Sequence, residues 1–129
     1  MQEYRKVLVA VDLSEDSAAL VERARLIAVG DEAIHLAFVF EPIDTLYYGM
    51  VPVAPAQSGV SQVEQEVHAN VAKQLARLGE EQSIPEDRRH MPVGSAAREI
   101  RRLAEEGGFD LIVMGAHAEK GVQRLLGST

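Results

Sequence analysis

The sequence has no cysteine and no tryptophan, and only 5% of its 129 residues are aromatic. The missing cysteine excludes a disulfide framework and any thiolate nucleophile or metal ligand. The scarcity of rings leaves the core to Val, Leu, Ile and Ala, which are plentiful in a chain that is 47% hydrophobic. No apolar run approaches the ~20 residues of a membrane-spanning helix. The opening MQEYRKVLVAVD does not read as a secretory signal, because its apolar run is short and ends at Asp12. A cytoplasmic protein away from the membrane is expected. Basic blocks are also missing, and the formal net charge is −7, which argues against nucleic acid as a partner. An anionic ligand would have to be held by a local site against that overall field. The length fits one domain over residues 1–129.

What is there alternates in kind. Val7 to Val11 is a short apolar run without alternation, as in a strand buried on both faces. Ser14 offers a cap for a helix carrying Leu20, Val21, Ala24, Ile27 and Ala28 and closed by Gly30. AIHLAFVF, Ala33 to Phe40, reads as a second strand, and Glu41 to Gly59, with Pro42, Pro52 and Pro55, as a long loop. Ser61 and Glu64 have capping-box spacing ahead of the stripe Val63, Val67, Val71, Leu75 and Leu78, which ends at Gly79. Arg88 to Val93 is a weak third strand. Gly94-Ser95 opens a third helix through Ala97, Ile100 and Leu103, closed by Gly107-Gly108. FDLIVM, Phe109 to Met114, is a fourth buried strand, followed at once by Gly115. This order predicts an α/β three-layer sandwich with a mainly parallel sheet. In such sheets ligands sit at the carboxyl ends of the strands, near Asp12, Val39, Gly94 and Gly115.

The candidate chemistry is modest. Gly115, Gly121 and Gly127, with the Ser128 and Thr129 hydroxyls, could bring backbone N–H groups to an anion, or could be ordinary turns around a short helix. Asp12 suits a ribose acceptor and equally a loop cap. Asp12, His117 and Ser128 name the members of a hydrolytic triad, but no GxSxG elbow exists to build one. His117 reads instead as a loop residue near a ligand or in solvent. His35 reads as a packed or hydrogen-bonded strand residue, and four scattered histidines form no metal pattern. Arg98, Arg101 and Arg102 share a helix face with Glu105 and Glu106, as in a solvated, ion-paired surface.

Together VLVAVDLSEDS, AFVFEP, VGSAAREIRRLAEE, FDLIVMGAH and the closing GST resemble the universal stress protein family of the UspA type, in order from Lys6 to Thr129. The resemblance implies an adenine nucleotide alpha hydrolase-like fold of strand order 3-2-1-4, whose fifth strand and last helix would come after Thr129. It also implies a homodimer and binding of AMP or ATP, with Mg2+ when the ligand is ATP. By position, the adenine contacts would fall on Ala10, Asp12 and Val39, with Asp12 also holding the ribose. Met114 and Gly115 would line the ribose side; Gly94, from its place at a strand end, and His117, as a loop residue near the ligand, are expected beside them. Phosphates would meet position 118, then Gly127, Ser128 and Thr129. The family's second signature glycine is replaced by Ala118, and the spacer from 119 to 126 is one residue shorter than the commonest form.

The expected function is therefore a non-catalytic adenine-nucleotide-binding regulator of the stress response, read out through an unidentified protein partner or a change of assembly. A UspA-like dimerising interaction protein without nucleotide is the alternative, and Ala118 favours it. A slow ATPase ranks last, since no base or arginine finger stands out. An adenylating enzyme of the related PP-loop type is disfavoured, because Asp12-Leu13-Ser14-Glu15 lacks paired glycines. No catalytic residue is assigned.

Overall fold

The computed structural model describes residues 4–41 and 59–115. The elements are β1 (Val7–Ala10), α1 (Ser17–Ile27), β2 (Ile34–Ala37), α2 (Gly59–Glu81), β3 (Arg89–His90), α3 (Ala96–Gly107) and β4 (Leu111–Met114). The strands form one sheet in the order β3-β2-β1-β4, and every pair is parallel.

Crossover handedness explains the layers. The steps β1-α1-β2 and β2-α2-β3 move the same way along the sheet, so right-handed connections put α1 and α2 on one face. The step from β3 back past β1 to β4 reverses direction and puts α3 on the other. Side chains alternate accordingly. Val7, Val9, Ile34 and Leu36 pack with Val21, Ala24, Leu75 and Leu78, while Leu8, Ala10, Ala37 and Val39 pack with Ile100. This is why β1 is apolar at every position: Val7, Leu8 and Val9 are each 0% exposed because both faces are covered.

Several boundaries differ from the sequence pattern, each for a local reason. The first helix begins at Ser17, because Ser14 sits in a turn that accepts the Asp16 N–H on its hydroxyl and the Ser17 N–H on its carbonyl. That helix ends at Ile27, and Gly30 is extended backbone leading into a single turn, Asp31–Ala33. Gly59 already belongs to α2, so Ser61 lies inside the helix rather than capping it. Gly79 does not end α2 but lies within it, opposite Arg89, whose side chain would collide with any Cβ placed there. β3 shrinks to Arg89–His90, with one further bridge between Phe40 and Val93. β4 starts at Leu111 and is half-buried rather than buried. The end of α3 agrees with the pattern: Gly108 takes the left-handed conformation at φ 67° and closes the helix.

Candidate functional site

β1 lies between β2 and β4, with Ala10 in register with Ala37 and with Met114. The strand order reverses between β1 and β4, so their carboxyl ends open the crevice where open α/β sheets receive ligands. Asp12 and Gly115 follow directly on that line. Val39 lies two residues beyond Ala37. Gly94 stands beside it, because the Gly94 N–H donates to the Phe40 carbonyl at 2.9 Å and the Phe40 N–H to the Pro92 carbonyl at 2.9 Å. Ala10, Asp12, Val39, Gly94, Met114 and Gly115 therefore share one edge of the sheet. His117, Ala118, Gly127, Ser128 and Thr129 lie outside the described residues.

Asp12 is solvent-exposed and held by its own turn. Its Oδ1 accepts the Ser14 N–H at 2.9 Å and the Ser17 hydroxyl at 3.5 Å. The Ser14 hydroxyl, followed by the Ser14 backbone N–H, holds the carboxyl below the usual carboxylate range, so Asp12 is a fixed anion at neutral pH. The turn is strained: Leu13 adopts φ 61°, a left-handed conformation costly for a branched side chain.

Three features of this site were not legible in the sequence. Leu13 gives no sequence sign of a left-handed backbone. Ser17 is only 4% exposed and braces Asp12 from below; its signal was its place as a small polar residue in the first turn of a helix. Glu41 closes the other side of the mouth, where its Oε1 accepts the Ala96 N–H at 2.9 Å. A carboxylate thus occupies a free N–H at the start of α3 and ties the exit of β2 to that helix. Gly94 fits between them at φ 148°, a conformation that suits glycine, and a Cβ there would press on the Glu99 carboxylate.

The arginine face of α3 is ion-paired as expected. Arg101 meets Glu105 at 3.5 Å, and Arg102 bridges Glu99 and Glu106. No group of three or more metal-ligating side chains occurs among the described residues. No described helix is long and apolar enough to cross a membrane.

This arrangement defines an α/β protein with a parallel sheet of order 3-2-1-4 whose crevice lies at the strand ends. Its backbone is similar to the solved structure of hypothetical protein MJ0577, with TM-score 0.67 at 17% identity over 94% of this chain and 89% of that one. It is also similar to universal stress protein UspA from Lactobacillus plantarum, with TM-score 0.66 at 20% identity over 90% and 79% of the two chains. A third similar structure is a universal stress protein in complex with cAMP, with TM-score 0.53 at 22% identity over 98% and 85%. The profile of the Universal stress protein family matches residues 3–129, and the chain belongs to that family. Two relatives from Coxiella burnetii, universal stress protein A homologs 1 and 2, are 31% and 34% identical over 97% and 100% of this chain, which spans 85% and 86% of their lengths.

Proposed function

We propose that this universal stress protein binds an adenine nucleotide, AMP or ATP, in the crevice at the carboxyl ends of β1 and β4, and that it acts without catalysing a reaction. The observation that carries the reading is Asp12. It is a fixed anion at the switch point of the sheet, and the turn orients it through the Ser14 N–H and the Ser17 hydroxyl on Oδ1. An acceptor placed in this way suits the hydroxyls of a ribose. Ala10, Val39 and Met114 lie at strand ends on the same edge of the sheet, where their backbone would meet a base. The existence of a universal stress protein of similar fold in complex with cAMP supports a nucleotide of this kind. ATP would bring Mg2+ with its phosphates, and the phosphate contacts would come from Gly127, Ser128 and Thr129. The readout is a homodimer or a regulatory protein partner, and the whole of 1–129 serves as one domain.

A second reading, an interaction protein without nucleotide, rests on Ala118 replacing the family's signature glycine. Calorimetric titration of protein first stripped of any bound nucleotide, with adenosine, AMP and ATP, separates the two. Saturable binding of all three supports the first, and no heat with any of them supports the second.

A further inference from the structure

On the α3 face of the sheet, toward its β3 edge, His35 and His90 face each other across the β2–β3 pair. His35 Nδ1 and His90 Nε2 are 3.0 Å apart. Their rings are within 10° of parallel, with centroids 5.3 Å apart. That separation is the N···N contact plus one ring radius on each side. The imidazoles therefore lie in line in one plane, joined by an N–H···N hydrogen bond, and are not stacked face to face. This geometry does not suit a shared metal. The two inner nitrogens point at each other, and an ion on the line between them would be closer to both than the ~2.0 Å of a Zn–N bond. Phe109 stands edge-on to both rings, at 4.9 Å from His35 and 6.4 Å from His90. Lys6 Nζ lies 4.7 Å from the Phe109 ring centre and donates to the Gly107 carbonyl.

We propose that this pair is a proton-operated latch that holds the edge strand β3 onto the sheet and releases it when both imidazoles are charged. Two neutral rings carry one N–H each, and one of these fills the gap between them. A first added proton goes to an outer nitrogen and leaves the N–H···N bond in place. A second puts an N–H on both inner nitrogens, so two hydrogens and two positive charges oppose each other and the contact breaks. The pair thus titrates as a unit in two steps.

The surroundings make both steps hard. Burial, then the charge of His90, Lys6 and Arg88, pushes His35 down to about 4, opposed only by Asp87; burial and Lys6 also push His90 down. In an unfolded chain histidine titrates near 6.5. The latch therefore stabilises the fold fully above about pH 6.5, and its contribution is lost as pH falls from there toward the folded values.

β3 is an element that such a loss can move. It has two residues and pairs with β2 only through Leu36–Arg89 and Ala37–His90. Its other ties include the Phe38 N–H to the His90 carbonyl, the bridge at Val93, Arg88 Nε to the Ile34 carbonyl at 3.1 Å and Arg89 Nε to the Ile84 carbonyl at 2.8 Å. The same segment leads through Pro92 and Val93 to Gly94 at the crevice, so acid would loosen one wall of the candidate site.

The test is histidine 15N NMR across pH 3.5–8, together with hydrogen-exchange protection of Phe38, Phe40 and Gly94. The latch predicts two depressed, coupled titrations in the full chain. It also predicts that protection of these three amides falls about tenfold or more between pH 6.5 and 4 relative to Val9. In His90→Gln, His35 should titrate closer to the ordinary range, and the pH dependence of protection should flatten. Independent titrations near 6.5, or depressed titrations with unchanged protection, overturn the proposal. Should His90→Gln fail to fold, the wild-type titration and exchange data decide alone.

Discussion

At the scale of single residues, Asp12 is the side chain on which the proposed nucleotide binding rests. It does two things at once: Oδ1 organises the turn, and the carboxylate stays charged at the crevice. Asp12→Ala should weaken adenosine and AMP by a similar factor, since both present the same ribose. Loss of a charge-assisted hydrogen bond is worth about 1.5–3 kcal/mol, or roughly tenfold to a hundredfold in affinity. Unchanged affinity for both ligands in calorimetry would make Asp12 a loop cap and nothing more. Sequence reasoning reached Asp12 because a carboxylate ending a buried apolar strand is conspicuous. It could not reach Glu41 or Ser17, because a hydrogen bond to Ala96, or a hydroxyl beneath Asp12, depends on where two elements finally meet. Nor could it see His90 opposite His35, since their pairing depends on the register between β2 and β3. It read His35 as packed or hydrogen-bonded, and the partner came only with the fold.

Among elements, β1 was the easiest to read. A strand covered on both faces must be apolar throughout, and VLVA is. β3 was the hardest, because an edge strand of two residues leaves almost no periodicity to detect. The α2 end was misplaced at Gly79 for an instructive reason. Glycine usually stops a helix because it frees the backbone, but in α2 it serves close approach. Arg89 Nε donates to the Ile84 carbonyl at 2.8 Å, which fixes its side chain over the space a Cβ would fill. Gly79→Ala should therefore lower the melting temperature: overpacking costs about 1–3 kcal/mol, against a gain of about 1 kcal/mol from helix propensity. In an Arg89→Ala background the sign should reverse, with Gly79→Ala stabilising by about 1 kcal/mol. A Gly79→Ala effect that is the same in both backgrounds would remove Arg89 from the explanation.

Across the whole molecule, the order of elements pointed to a parallel sheet covered on both faces, and the strand order 3-2-1-4 that the structure shows was expected from the family resemblance. That architecture places the ends of β1 and β4 side by side and makes the crevice between them the natural ligand site. The net charge of −7 works against a phosphorylated ligand at long range, so under the proposed function the affinity would have to come from ribose and base contacts near Asp12 and from backbone donors. The most direct test of nucleotide binding is chromatography of the small molecules released by denaturing protein that was purified without added ligand. An adenine nucleotide at close to one per chain is expected from the parent, and little or none from Asp12→Ala. Folded parent protein that releases no nucleotide, and that takes none up from a saturating solution of AMP or ATP, would contradict the proposed function.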